Sequence, residues 1–184
     1  MIRQWVVGLS LMIPEIRKEE PKDYKATEQV VFEAFKEAPM SDGDEYNLVN
    51  RLRKSDEFIS ELSLVAEIDQ KIIGHIILTK IKIDEFDSLA LAPVSVLPEF
   101  QGQGIGAQLI KKSHEIAKSL GYKSIILLGH PEYYPRFGYK KASDWNIKAP
   151  FDVPDEAFLA LELVEAGLTG VSGLVKYSPA FGIN

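Results

Sequence analysis

The chain contains no cysteine among its 184 residues. This absence excludes disulfides, thiolate metal sites and a covalent thiol intermediate. Any nucleophile must therefore be an oxygen, a nitrogen or the substrate itself. A chain without cysteine is also compatible with the reducing cytoplasm, which is where we expect this protein. No metal site is expected, because none of the three histidines has neighbours typical of a set of metal ligands.

An excess of positive charge is absent as well. The 27 acidic and 21 basic residues give a net charge of -6, which opposes attraction to phosphate backbones. We therefore expect no nucleic-acid partner. With 46% hydrophobic and 26% charged residues, the composition is typical of a soluble globular protein, and the length suits a single core.

Long hydrophobic runs are also lacking, although the first residues, "MIRQWVVGLSLMIPE", contain a short one. This run ends at Ile13 and falls well below the roughly 20 residues needed to span a bilayer. It has no small-residue cleavage site of the kind that ends a signal peptide. We interpret residues 1–12 as an extension or a region before an alternative start, and residues 13–184 as a single domain. No membrane partner is expected.

Hydrophobic spacing and turn residues predict the secondary structure. Two helices come early, with Asp23 as the N-cap of the first, and a third helix ends at a Gly121 cap. A strand, this third helix and another strand follow one another, which indicates an α/β fold with a mixed sheet. The predicted helices cover 22–38, 47–55 and 104–120, and a short helix or turn covers 131–139. Strands are predicted at 13–18, 62–83, 89–96, 124–128, 157–164 and 170–177. The segment 62–83 comprises two strands with a turn at Asp69–Gln70.

The stretch "QGQGIGAQL", residues 101–109, places three glycines between a strand and a helix. Such a turn exposes backbone N–H groups at the positive end of the helix and typically binds phosphate. The P-loop of nucleotide hydrolases is excluded because its Gly-Lys-Ser/Thr is absent. Gly102, Gly104 and Ala107 fit the dinucleotide pattern G-x-G-x-x-G/A, but the next strand ends in "LLGH" without the acid that this pattern needs.

A different phosphate loop matches more residues. After the strand "LAPVSV" come Pro98 and then Gln101-x-x-Gly104-x-Gly106, and an amphipathic helix follows. This resembles the acyl-CoA signature of the GNAT superfamily of N-acyltransferases. A second motif of the family, Tyr-x-x-x-Gly-Phe, is matched by Tyr134 to Tyr139, with tyrosine where phenylalanine is commoner. The resemblance covers residues 13–142, whereas the last forty residues fit only loosely.

The resemblance implies the GNAT fold, a mixed central sheet with a splayed, bulged strand and flanking helices. Pro93 fits such a bulge, because proline cannot donate to a central ladder. Acetyl-CoA would be the co-substrate, with its pyrophosphate on the glycine loop and its pantetheine on the bulged strand. The residues implied in cofactor binding are Val94, Val96, Gln101, Gly102, Gln103, Gly104, Ile105, Gly106 and Ala107.

The resemblance also nominates Tyr134 as the general acid that protonates the departing thiolate. Tyr133, or a purely packing role for Tyr134, is the alternative. For the base the sequence nominates His130, at the carboxyl end of a strand, and Glu45, before the second helix. Each of these two is equally compatible with an ordinary structural role. By their placement, His75 and His114 are expected to be structural or solvated, and Asp42 and Asp44 to be solvated helix-terminal acids.

The function expected from these motifs is N-acetyltransfer from acetyl-CoA to a primary amine, by direct attack in a ternary complex. The acceptor would be a small molecule or a peptide amine, and a homodimer is left open. Two alternatives stay open: a CoA-binding module without turnover, and a dinucleotide enzyme that uses the same glycines.

Overall fold

The computed structural model describes residues 13–39 and 41–183, so the expectation for residues 1–12 lies outside the described residues. Within these ranges there are three α-helices and nine strands, with short 3-10 turns between them. The helices are α1 (Tyr24–Phe35), α2 (Glu45–Arg53) and α3 (Ile105–Ser119). The strands are β1 (Glu15–Lys18), β2 (Phe58–Ile68), β3 (Lys71–Ile83), β4 (Phe86–Val96), β5 (Ser124–Leu128), β6 (Lys140–Lys141), β7 (Ile147–Lys148), β8 (Phe158–Glu162) and β9 (Gly173–Lys176).

The main sheet has the strand order β1-β2-β3-β4-β5-β8-β6. Along this path only β4 and β5 are parallel, and α3 is the crossover between them. β9 pairs with the end of β3 and, in parallel, with β7. The predicted α/β fold with a mixed sheet is therefore confirmed.

Alternate residues of β3 show how the helices are divided between the two faces of the sheet. Ile76 packs in the same cluster as Leu109 of α3, whereas Ile77 packs with Val31 of α1 and Val49 of α2. Helix α3 therefore covers one face, and α1 and α2 cover the other. We call the second face the α1 face.

The predicted tight turn between β2 and β3 is present. Asp69 and Gln70 have φ values of 48° and 65°, the left-handed geometry that suits a two-residue hairpin. Asp23 occupies the predicted N-cap position of α1, but it also ends a short 3-10 turn and its side chain makes no capping hydrogen bond to the helix. Its carboxylate is instead held by Arg17, at 2.7 Å, and by the backbone N–H of Glu20, at 2.8 Å.

The last forty residues complete the α1 face beyond β4. Phe158 and Val175 pack against the sheet in a cluster with Ile81 and Ala90, and Phe181 also contacts the cluster around α2. The Arg51 guanidinium donates to the carbonyl of Ala180 at 2.9 Å. In the described part of the chain, no helix is both long and apolar enough to cross a membrane.

Candidate active site

The strand with the unexpected proline, β4, separates from its neighbour at the centre of the sheet. β4 and β5 pair in register only at Leu89 with Ile125 and at Ala90 with Ile126. On the other side of β4, Ile76 and Leu78 of β3 face Val94 and Leu91, so β4 carries an additional residue there. This is a β-bulge, and Pro93 lies within it. We call the gap between residues 91–96 of β4 and the end of β5 the strand opening.

The backbone groups of Val94 and Val96 are directed into the strand opening. The Leu97 N–H donates to Ile73 at 2.8 Å, so Leu97 and Ser95 direct their backbone groups toward β3. Val94 and Val96 alternate with these two residues, so their backbone N–H and C=O groups point away from β3. The carbonyl of Val96 accepts a hydrogen bond from the Gln101 side-chain amide at 3.0 Å, which joins the loop to the strand.

The glycine loop leads from β4 into α3 and leaves the start of the helix bare. Gly104 precedes the helix at φ 80°, a left-handed conformation that glycine adopts without a steric penalty. The Gln108 N–H is the first along the helix to donate a helical hydrogen bond, to the Gly104 carbonyl at 3.1 Å. Among the described residues no side chain caps the helix, and its first turn contains no acidic residue. The N–H groups of residues 105–107 are therefore available to an anion at the positive end of a 15-residue helix.

The loop also has open space around it. A β-carbon added at Gly102 or Gly104 would meet no atom within 4 Å. At Gly106 it would lie 3.7 Å from the Tyr133 hydroxyl oxygen and 3.8 Å from Val96 Cγ2. Gly102, Gln103 and Gly104 are exposed, whereas Ile105 is buried and holds the helix against the core.

The two adjacent tyrosines, Tyr133 and Tyr134, are placed differently. Tyr133 is half-buried, and its hydroxyl lies beside Gly106, at the glycine loop. Tyr134 is 9% exposed and belongs to the main core, where its ring packs edge-on against Tyr133 and Tyr139. No hydrogen bond among the described residues engages its hydroxyl. Burial, with a smaller contribution from Tyr133, raises the pKa of Tyr134 to about 12, so its proton is retained at neutral pH.

Gly129 is a functional candidate that the sequence analysis did not single out. It follows β5, and a β-carbon there would lie 2.4 Å from Tyr134 Cε2 and 2.8 Å from Cδ2. Only glycine leaves room for the Tyr134 ring in this position. The signal in the sequence was weak, because a glycine directly after a buried strand is common in ordinary turns.

The two nominated bases, His130 and Glu45, lie after β5 and at the start of α2. His130 is exposed after β5, and its carbonyl accepts the N–H groups of Tyr133 and Tyr134 at 3.2 and 3.4 Å. Glu45 is the first residue of α2 and is half-buried. None of the described contacts joins either side chain to Tyr134 or to β4. Both remain predictions as proton acceptors.

The remaining sites follow their structural expectations. His114 Nε2 lies 2.8 Å from the Tyr139 hydroxyl, and burial lowers the pKa of His114 to about 4. Tyr139 is 2% exposed and keeps the packing role of an aromatic residue. Asp44 pairs with Arg51 at 2.9 Å, and Asp42 accepts the N–H of Asp44. His75 is fully buried in β3, within a polar cluster that the sequence did not predict.

Comparisons with known proteins agree with this geometry. Residues 60–141 match the model of the acetyltransferase (GNAT) domain. The uncharacterized N-acetyltransferase YjhQ of Escherichia coli is 35% identical over 76% of this chain and 75% of its own length. The uncharacterized N-acetyltransferase YhbS of E. coli is 30% identical over 90% of this chain and 97% of its own length.

Two solved structures are similar over nearly the whole chain. The crystal structure of E. coli YhbS in complex with CoA has a TM-score of 0.85 at 28% identity and covers 93% of both chains. That of a GNAT family acetyltransferase from Brucella melitensis in complex with acetyl-CoA has a TM-score of 0.76 at 33% identity. It covers 92% of this chain and 99% of the Brucella protein.

Proposed function

The chain belongs to the GNAT family of N-acetyltransferases, and from that premise we propose that it transfers the acetyl group of acetyl-CoA to a primary amine by direct attack in a ternary complex. The observation that carries the proposal is the bare N-terminus of α3 beside the strand opening, with the Tyr134 ring packed against Gly129 at the end of β5. Together they supply an anion site, a strand edge and a proton donor. The relatives found in complex with CoA and acetyl-CoA support the choice of co-substrate.

The glycine loop fits the pyrophosphate of acetyl-CoA. The loop faces open space at Gly102 and Gly104, and each charge-assisted hydrogen bond from an N–H group of residues 102–107 to a phosphate would contribute about 1.5–3 kcal/mol. Gln101 and Gln103 hold the strand-to-loop turn through bonds to the carbonyls of Val96, at 3.0 Å, and Glu99, at 3.4 Å. In our proposal the loop binds the pyrophosphate mainly through backbone groups.

The backbone of β4 fits the pantetheine arm. The edge exposed at Val94 and Val96 can add an extended ligand in the manner of another strand. This places the thioester in the strand opening. The half-buried side chains of Val94 and Val96 pack into the core, so side-chain substitutions there are a poor test of the binding role.

Tyr134 is proposed to stabilise the departing thiolate. The pKa of Tyr134, about 12, lies above that of a free thiol, about 8.5, so Tyr134 keeps its proton while the thioester is intact. It donates a hydrogen bond as negative charge develops on sulfur, and so stabilises the departing thiolate without a net loss of its own proton. The proton that the attacking nitrogen loses as the amide forms balances the one that the thiolate gains, so that the overall reaction of the neutral amine yields the amide and free CoA.

The acceptor determines how much help the deprotonation needs. At pH 7 a lysine-like amine with a pKa of about 10.4 costs about 4.6 kcal/mol to deprotonate, whereas an α-amine costs about 1 kcal/mol. An acceptor of the first kind requires a base near the strand opening. Both a small molecule and a peptide remain within the proposal.

The test is the release of CoA from acetyl-CoA in the presence of a panel of alkylamines, polyamines, amino acids and N-terminal peptides. We expect at least one amine to raise CoA release in proportion to acetylated product. Intersecting initial-velocity lines are expected for direct attack. No amine-dependent release across the panel, with CoA still bound, would favour a CoA-binding module. A burst of CoA without amine, accompanied by an acetylated protein, would contradict direct attack.

A further inference from the structure

A cluster of four polar side chains lies buried between α1, α2 and the sheet, and the proposed reaction does not yet use it. It consists of Glu19, Arg53, Ser63 and His75. Arg53 donates to Glu19 at 2.5 Å, and the two side chains are 4% and 1% exposed. The Ser63 hydroxyl donates to Glu19 at 2.6 Å and lies 3.1 Å from His75 Nε2.

The hydrogen bonds of this cluster determine where the imidazole carries its proton. Ser63 has one hydrogen, and its short bond to Glu19 uses it. The 3.1 Å contact with His75 is therefore one in which Nε2–H donates to the Ser63 oxygen, with the Glu19 carboxylate 3.5 Å away. In neutral His75, the other ring nitrogen, Nδ1, is then an unprotonated acceptor.

His75 Nδ1 has no partner among the described residues, although it is buried. The same holds for three hydroxyls: Ser95 on β4, Thr27 on α1 and Thr79 on β3. His75 and Ser95 are direct cross-strand partners, so their β-carbons lie about 4.5–5.5 Å apart on one face. Buried polar atoms left unpaired are costly, and a buried water typically satisfies two or more of them.

Ser95 adjoins both this cluster and the backbone of the strand opening. It lies between Val94 and Val96, whose backbone groups face that opening, and its side chain shares the α1 face with His75. β4 itself offers no titratable side chain near the bulge, where its residues are Ala90, Leu91, Ala92 and Pro93. His75, the cross-strand partner of Ser95, is a buried base that adjoins the bulge.

We propose that His75 Nδ1 accepts the proton that the acceptor ammonium must lose, through the Ser95 hydroxyl and a bridging water, while Glu19 stabilises the resulting imidazolium. The inference rests on the proposed acetyl transfer and supplies its base. The N–H bond of the ammonium breaks, its electron pair stays on nitrogen for the attack, and a new N–H bond forms at Nδ1. After product release, His75 returns the proton to solvent by the same path.

The charges that face His75 suit this role. Glu19 is the charged group nearest its ring, and Arg53 lies on the far side of Glu19. Beyond Arg53 are Glu28 of α1, at 4.0 Å, and the ring of Tyr24, 4.1 Å from the guanidinium carbon. Burial favours a neutral Glu19, but the contact with His75, whose positive charge contributes when the ring is protonated, and hydrogen bonds from Arg53 and Ser63 prevail and hold the pKa of Glu19 well below its usual range. A carboxylate is thus present to balance an imidazolium.

The first test does not depend on the acceptor. The full chain with 15N-labelled histidine is studied by NMR at pH 7 to 8, and the resonances of His75 are assigned by substituting the other two histidines, His114→Gln and His130→Gln. We expect Nε2 to be protonated and Nδ1 to be unprotonated. A proton on Nδ1 under these conditions would overturn the inference, because Nδ1 could not then accept one.

The second test compares two small amines of different basicity. Methylamine is largely protonated at pH 7 and must lose a proton before it can attack. Methoxyamine is largely neutral at this pH and needs no base for that step. In Ser95→Ala and His75→Gln we expect kcat/KM for methylamine to fall roughly 10²-fold at pH 7. The value for methoxyamine should change little, and the methylamine deficit should shrink as the pH rises. Equal losses for both amines would show a structural role and overturn the inference.

Thr79→Val is the matched control. It removes another buried, unpaired hydroxyl from the same face of the sheet, opposite Ala90, and should leave both amines unaffected. If His75→Gln does not fold, Ser95→Ala carries the test, and full activity toward methylamine in Ser95→Ala would contradict the relay. A failure of the proposed function is distinguishable, because wild-type protein would then acetylate neither probe nor any panel amine, whatever the NMR result.

Discussion

Gly129→Ala is expected to separate catalysis from cofactor binding. The added methyl carbon would lie 2.4 Å from Tyr134 Cε2, whereas ordinary contact begins at 3.4 Å. The ring must therefore move by about 1 Å, and a displacement of this size typically costs roughly 10²-fold in rate. The added methyl carbon would also lie 3.1 Å from Leu127 Cδ1, which limits how far it can move away from the ring. The glycine loop is not touched by the substitution.

The assay measures kcat with the best amine of the panel, the Kd for CoA, and the free energy of unfolding in denaturant. We expect kcat to fall roughly 10²-fold with unchanged Kd. Overpacking of this kind typically lowers the free energy of unfolding by about 1–3 kcal/mol. Tyr134→Phe and the double variant complete a cycle, in which the two losses of kcat should not add, because both act through the Tyr134 hydroxyl.

A kcat for Gly129→Ala within the error of wild type would refute the reasoning. It would mean that the Tyr134 ring can move without consequence, or that its hydroxyl has no part in the reaction. Full additivity in the double variant would show that Gly129 acts by a route other than Tyr134. Tyr177→Phe is the matched control for removing a buried phenol, because Tyr177 packs against Phe151 and Phe181 in the C-terminal segment.

Further predictions concern the loop and the response to acid. Gly104→Ala should weaken CoA binding and destabilise the fold by about 1 kcal/mol, because φ is 80° at this position; isothermal titration and denaturant unfolding measure both, and unchanged CoA affinity would remove the loop from the site. His114 has a folded-state pKa of about 4, below its unfolded value of about 6.5, so its contribution is complete above pH 6.5 and is lost as the pH falls toward 4. His114→Gln should therefore flatten the fall in unfolding free energy across this window, by on the order of 3 kcal/mol, and an unchanged slope would contradict the neutral, buried state of His114.

The features of the fold that were predicted from sequence are those with local causes. The helix predicted between Gly104 and Gly121 has both its apolar stripe and its C-terminal cap within one short segment, and it is present at Ile105–Ser119. The Asp69–Gln70 turn is equally local. Asp23 shows the limit of such rules, because Arg17 and the backbone of Glu20 occupy the carboxylate that a helix cap would need.

The site was predictable where a motif constrained it. Pro93 cannot donate to the hydrogen-bond ladder of a central strand, and its presence in β4 therefore indicated the position of the bulge. The buried cluster was not predictable, because Glu19, Arg53, Ser63 and His75 come from four separate segments that only the folded sheet brings together. For the same reason the sequence did not show that the Tyr133 hydroxyl lies at the loop while the Tyr134 ring packs in the core.

The central claim is that Tyr134 serves acetyl transfer rather than packing alone. The most direct measurement is the amine-dependent rate of CoA release by Tyr134→Phe, together with its Kd for CoA, against wild type and Tyr177→Phe. We predict a fall in rate of roughly 10²-fold or more in Tyr134→Phe only, with unchanged CoA affinity. Amine-dependent turnover at the wild-type rate in Tyr134→Phe would contradict it.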